Sequence, residues 1–308
     1  LEVGAITDFL AASYDINMAV DARAASLLER QASRWLAEFI GYPHGRGLFT
    51  SGGTISNITA LAAARQRACP GVRREGITEP LAVYCSAEAH YSNTRGIELL
   101  GLGTRSIRPI PLDPARRMRP DLLDEHIRRD IAAGVRPMAV IATAGTTLTG
   151  AVDPLWAIGE VARRHDVWMH VDGAYGAPAA GTAAAAPLFD GLELADSVTI
   201  DAHKWLFVPK ACSVLLVRDE AALGAAFAHE EAYMPHPDAV PNPVDVTLEY
   251  SRPLRALKLW LGFRTHGAAA FREAITATRA VARMAFDRGR MMPGFQVLDT
   301  PPQLSVVP

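Results

Sequence analysis

Apolar positions along the chain fall in two alternating rhythms. Short runs bounded by turn residues recur at 81–85, 138–143, 167–172, 197–201 and 212–217. Their length and β-branched content predict strands buried on both faces. Between and around them lie segments with helical spacing. In 24–40, Leu27, Leu28, Trp35, Leu36, Phe39 and Ile40 share one face, and Gly41-Tyr42-Pro43 stops the helix. Helices are also predicted over 57–67, over 154–164 with Asp153 as N-cap and Pro154 at the first helical position, and over 254–264. Residues 268–288 read as one long helix. Strands alternating with helices predict an α/β fold with a mostly parallel sheet covered by helices. We divide it into a large domain, 1–262, and the beginning of a smaller C-terminal domain, 263–308. The stretch from Met234 to Asn242 carries three prolines in nine residues and predicts an exposed loop.

Composition narrows the class. The 308 residues are 49% hydrophobic and 21% charged, with a formal net charge of −2. That is a globular composition, with no charge excess to attract nucleic acid or an anionic membrane. No apolar run reaches the length of a membrane span. Cys69, Cys85 and Cys212 are far apart and lack C-x-x-C spacing, which fits free thiols in a reducing, cytoplasmic setting. Leu1-Glu2-Val3-Gly4 has no basic segment before an apolar stretch, so no signal peptide is expected.

Ligands of open α/β sheets gather at the carboxyl ends of strands. Gly145-Thr146-Thr147, Asp172 and Lys204 all fall at or just after predicted strand ends. A lysine there is ordinarily a surface charge, and an aspartate after four apolar residues and a histidine is ordinarily an N-cap or half of an ion pair. Together, with His203 and Trp205 flanking the lysine, they meet the needs of pyridoxal phosphate. That cofactor takes an amine to join its aldehyde and a carboxylate to hold its ring nitrogen protonated. Ser51-Gly52-Gly53-Thr54 precedes a helix, whose free N–H groups suit a phosphate. His90 reads either as a satisfied turn residue or as an imidazole stacked on the ring. Ala174 is small enough to cover the opposite face. No nucleotide P-loop, H-E-x-x-H zinc motif or G-x-S-x-G elbow is present, so no metal site is expected.

With these residues assembled, the chain resembles the group II pyridoxal-phosphate-dependent amino-acid decarboxylases, most closely the aromatic-L-amino-acid branch. The likeness runs from Leu1 to Pro308. It rests on Phe49-Thr50-Ser51-Gly52-Gly53-Thr54, Ala89-His90, Ala142-Thr143-Ala144-Gly145-Thr146-Thr147, His170-Val171-Asp172-Gly173-Ala174-Tyr175, Ala195-Asp196-Ser197, His203-Lys204-Trp205 and the stretch from Ser251 to Trp260. The resemblance implies a fold-type I homodimer with its site at the subunit interface and a small amino acid as substrate. It makes Gly53 and Thr54 the phosphate seat, and His90 and Ala174 the covers of the two ring faces. Thr147 would lie near Asp172, Asp201 and His203 would flank phosphate and substrate carboxylate, and Lys204 would be the Schiff-base lysine.

By the same resemblance, Tyr233 matches a mobile-loop tyrosine that returns a proton to Cα, which favours decarboxylation over aldehyde formation. The plainer reading of Tyr233 is an aromatic that anchors a loop, and the catalytic one is favoured over it. Ser251 falls where relatives reach the partner subunit's substrate pocket. The chain departs from the family at Ile55-Ser56 (usually Glu-Ala), Gly173 (usually alanine) and Ala202 (usually proline). The family's N-terminal helical segment and most of its C-terminal domain have no counterpart here. The chain therefore reads as a trimmed part of a longer protein or as a minimal member.

Overall fold

The computed structural model describes residues 2–19, 22–229 and 242–308. Among the described residues, seven strands form one sheet: β1 (Arg46–Thr50), β2 (Leu81–Ser86), β3 (Ile107–Ile110), β4 (Arg136–Thr143), β5 (Trp168–Asp172), β6 (Ser197–Ile200) and β7 (Ser213–Val217). Their spatial order is β1-β7-β6-β5-β4-β2-β3. The ladders β3–β2, β2–β4, β4–β5 and β5–β6 are parallel, and only β7 runs against its neighbours. This is the mostly parallel α/β architecture that the alternating pattern predicts. Every residue of β2, β5, β6 and β7 is buried. Full burial explains why these strands read as continuous apolar runs rather than as alternations.

Two strands escaped the sequence pattern. β1 reads Arg-Gly-Leu-Phe-Thr, with only its last three residues buried. β3 reads Ile-Arg-Pro-Ile at the sheet edge, where a proline costs no ladder bond. The helices Ala24–Phe39 and Gly53–Ala68 agree with prediction within a few residues. The helical stretch Ala256–Gly289 is broken at Gly267 (φ 73°, ψ 162°). That left-handed conformation favours glycine and separates the two helices expected there. Helix Glu2–Tyr14, to which the sequence reading assigned no element, packs on this stretch and pairs Asp8 with Lys258 at 2.9 Å.

The expected N-cap role of Asp153 is not seen. The helix starts at Leu155 after Pro154, and the buried Asp153 carboxylate turns inward instead. It accepts the N–H of Met118 (2.7 Å) and of Thr143 (2.8 Å), strapping the end of β4 to the 113–118 turn. Two buried backbone donors outcompete one exposed helix end.

Helices cover both faces, and the core divides accordingly. On one face Phe49, Val140, Met169, Val171, Val198 and Leu216 join Leu36, Phe39, Phe263, Phe271 and Ile275. On the other, Val83, Ile141, Trp168 and Leu215 meet Leu61, Ala64 and Ile97. Trp35 stacks on Trp260 with ring centroids 6.1 Å apart. Arg252 is bound two-fold to Glu29 (2.7 and 2.5 Å), with side chains only 1% and 8% exposed. No helix among the described residues is long and apolar enough to cross a membrane.

Two consequences are measurable. Arg252→Ala strands a buried Glu29 charge, so denaturant unfolding is expected to show a loss of about 3–5 kcal/mol; a loss within the noise would mean the pair is not buried in solution. Burial raises the Asp153 pKa from 3.8 to about 6, against the pull of its two backbone donors and with Asp113 and Glu88 adding to the rise. The folded chain thus keeps a proton that the unfolded chain releases near 3.8, and the Asp153 contribution to stability falls as pH rises through that window. The Tm of Asp153→Asn relative to the parent is expected to climb between pH of about 4 and about 7. A difference independent of pH contradicts this.

Candidate active site

The carboxyl ends of the strands frame one cavity of about 440 Å³, a size suited to a small organic ligand. Ser51 to Thr54 enter it after β1, and His90 after β2. Thr143, Gly145 and Thr147 enter at the end of β4, and Asp172 and Ala174 at the end of β5. Asp201, His203 and Lys204 follow β6, and Lys210 and Ala211 precede β7. The parallel arrangement does this work: strands pointing the same way deliver their following loops to the same edge.

Lys204 lies in the single turn Ala202–Trp205, its Nζ 2.8 Å from Asp201 Oδ2 and its side chain 42% exposed. His203 Nδ1 sits 2.8 Å from the Cys212 carbonyl, and its Nε2 lies 3.7 Å from the same Asp201 oxygen. Asp201 Oδ1 is buried without a hydrogen-bond partner among the described residues. Helix Gly53–Ala68 begins directly against this carboxylate. A Cβ on Gly53 would lie 3.0 Å from both Asp201 oxygens and 3.3 Å from the Ala174 Cβ, so glycine is needed for close approach. The start of the helix is pinned by hydroxyls, with Ser56 Oγ 2.7 Å from Thr50 Oγ1 and 3.0 Å from Ser213 Oγ. The departure at Ser56 therefore has a local reason. So does Gly173, where a Cβ would fall 2.5 Å from the Ala177 Cβ and 3.2 Å from the Thr199 carbonyl.

Asp172 is 5% exposed. Its Oδ2 accepts the side-chain amides of Asn57 (2.9 Å) and Asn93 (3.0 Å), and among the described residues its Oδ1 accepts only the Ala174 N–H at 3.3 Å. Behind it lies His170, fully buried between Ser197 Oγ (2.8 Å from Nδ1) and Asn57 Oδ1 (3.0 Å from Nε2). Burial holds this imidazole below the ordinary histidine range, although the nearby Asp172 charge pulls the other way. His90 caps helix Tyr91–Leu99, its Nδ1 2.8 Å from Ser92 Oγ and 3.3 Å from the Ser92 N–H. It is a helix cap, as the turn reading expected, and it also lines the cavity. Tyr175 stacks on Trp205 at 5.0 Å, and its hydroxyl meets Ser305, closing one rim with the C-terminal segment.

Of the residues singled out from sequence, Gly53, Thr54, His90, Thr147, Asp172, Ala174, Asp201, His203 and Lys204 line this single cavity. Ser251 does not; it is exposed, and its Oγ accepts the Asn17 amide at 3.2 Å. Tyr233 lies outside the described residues, as does most of the proline-rich stretch. Asn57, Asn93, His170 and Lys210 were not anticipated. A signal existed for two of them. Asn57 interrupts an Ala/Leu-rich helical run four residues after Gly53, and His170 sits in the middle of an apolar strand. Buried polar groups in such places need partners.

Comparison with known proteins agrees with this geometry. The family described as pyridoxal-dependent decarboxylase conserved domain matches residues 3–307. The aromatic-L-amino-acid decarboxylase of Bacillus atrophaeus is 36% identical over 280 residues, covering 89% of this chain and 57% of that protein. The cysteine sulfinic acid decarboxylase of Rattus norvegicus is 34% identical over 287 residues, covering 91% and 58%. The chain thus spans little more than half the length of these relatives. The crystal structure of Oryza sativa TDC with PLP and tryptamine superposes with a TM-score of 0.93 at 29% identity, over 99% of this chain and 66% of that one. By sequence and by structure, this chain belongs to the pyridoxal-dependent decarboxylase family.

Proposed function

We propose that the chain forms the cofactor-binding part of a lyase that decarboxylates an L-amino acid to its amine and CO2 with pyridoxal phosphate. One observation carries the reading. A lysine amine and a buried carboxylate held by amide donors follow adjacent parallel strands and line the same cavity. The residues suit the cofactor: among the described residues Asp172 Oδ1 has only one long bond, which leaves it room for a ring N–H. Helix Gly53–Ala68 offers its first N–H groups and the positive end of its dipole to a phosphate. Bound there, pyridoxal phosphate supplies an aldehyde that takes up the substrate amine and a ring that draws in the electron pair left when CO2 departs.

The chain's own groups have distinct tasks in this reading. Lys204, steadied by Asp201, holds the cofactor and yields to the substrate amine. Asp172 keeps a proton on the ring nitrogen, with Thr147 beside it. Gly53 and Thr54 seat the phosphate, and Asp201 and His203 flank it and the substrate carboxylate. His90 and Ala174 confine the ring between them, which sets the orientation of the bond that breaks. Tyr233 delivers the proton to Cα after CO2 leaves, and the residues after it exclude water.

We place an aromatic substrate first, because the motif resemblance runs closest to that branch and the Oryza sativa structure carries tryptamine. A homodimer with Ser251 reaching the second subunit's substrate pocket completes the proposal, with the exposed position of Ser251 in its favour. Three buried, unpaired cysteines favour a reducing, cytoplasmic setting. We keep residue 262 as the boundary between the large unit and the start of a smaller one.

Two substitutions test the chemistry. Lys204→Ala should abolish the covalent label that borohydride fixes in the presence of pyridoxal phosphate; label retained on another residue sinks the assignment. Tyr233→Phe should lower amine yield about 100-fold or more and shift product towards aldehyde. An unchanged amine yield removes Tyr233 from the mechanism.

A further inference from the structure

One chain of buried hydrogen bonds links the interior to both walls of the cavity. Trp168, His170 and Asp172 alternate along β5 and share the face towards helix Gly53–Ala68. Trp168 Nε1 donates to Ser197 Oγ (2.8 Å), which lies 2.8 Å from His170 Nδ1. His170 Nε2 lies 3.0 Å from Asn57 Oδ1, and Asn57 Nδ2 donates to Asp172 Oδ2 (2.9 Å) and Ser92 Oγ (3.1 Å). Ser92 Oγ in turn lies 2.8 Å from His90 Nδ1. Asn57, His170 and Ser197 are at most 1% exposed.

The proton order along this chain follows from one end. A carboxylate only accepts, so Asn57 turns its NH2 towards Asp172 Oδ2 and its Oδ1 towards His170 Nε2. A neutral His170 then carries its proton on Nε2 and accepts the Ser197 hydroxyl at Nδ1, while Ser197 Oγ accepts the Trp168 N–H. A reversed amide would set oxygen against the Asp172 carboxylate and N–H against N–H. The Ser92 N–H donates to His90 Nδ1, so a neutral His90 is protonated on Nε2, the nitrogen turned from Ser92, and Ser92 Oγ, accepting from Asn57, sends its hydrogen to Nδ1. Burial keeps His170 neutral, and the Asp172 carboxylate is the charge that competes with this.

We propose that Asn57, locked in one orientation between His170 and Asp172, is a positioning residue that aims Asp172 at the cofactor ring and, through Ser92, ties His90 to the same series. The Asp172 carboxylate fixes the polarity of the whole series, and a single amide flip would disturb Asp172 and Ser92 at once. This rests on the proposed cofactor, but its proton order is a property of the chain alone.

The test has two arms. In the chain without cofactor, 15N NMR of labelled histidines should show His170 and His90 as Nε2–H tautomers. His170 should stay neutral well below its ordinary pKa of 6.5. An Nδ1–H tautomer at either residue, or ordinary titration of His170, overturns the proton order whether or not cofactor binds. The second arm compares pyridoxal phosphate affinity in His170→Gln, which keeps an amide donor for Asn57, and His170→Leu, which does not, with the thermal midpoint of each apo variant as control. Leucine should weaken binding about 10-fold or more, and glutamine should stay within about 3-fold of the parent. Equal losses in both variants, or none in the leucine variant, overturn the positioning role. A parent chain that binds no pyridoxal phosphate overturns the functional reading instead, and with it the role of aiming Asp172, while the NMR arm still decides the proton order.

Discussion

A carboxylate at the end of a fully buried strand must be supplied with donors, and much of this structure is arranged around doing so for Asp172. β5 lies at the centre of the sheet, between β4 and β6, so its last residue is remote from bulk water. The amides that meet Asp172 come from helix Gly53–Ala68 and helix Tyr91–Leu99. Both helices must therefore sit on the same face of the sheet and begin near its carboxyl edge. Their starts then bring Gly53, Thr54 and His90 to the cavity. Desolvation of one charged group thus fixes the placement of two helices, and the helices deliver most of the remaining wall.

The opposite wall depends on β6. Asp201 follows that strand and holds the Lys204 amine at 2.8 Å, while its other oxygen finds no partner among the described residues. That oxygen lies against the first turn of helix Gly53–Ala68, where a Cβ on Gly53 would crowd it at 3.0 Å. In the proposed function Asp201 serves by holding the Lys204 amine beside the helix start that seats the phosphate.

Legibility in the sequence tracked how one-sided each environment is. β2, β4, β5, β6 and β7 were visible because burial of all or most of their residues demands apolar runs, and the helix of Leu36 and Phe39 was visible because one face is buried. β1 and β3 were not, since a half-buried strand and an edge strand with proline carry no such pattern. The misreading of Asp153 came from judging it by local chain position. Its real partners, Met118 and Thr143, are distant in sequence and appear only in the folded chain. The same limit hid Asn57 and His170. Lys204, Asp172 and the glycines were readable because their chemistry needs particular residue types at strand ends. The supporting amides need only reach.

The most direct measurement is a mass-spectrometric product screen of the unaltered chain with pyridoxal phosphate, offered the common amino acids together with DOPA. The account predicts one amine and one CO2 for each amino acid consumed, with an aromatic substrate preferred. Aldehyde with ammonia, or bound cofactor with no product from any amino acid, would contradict it.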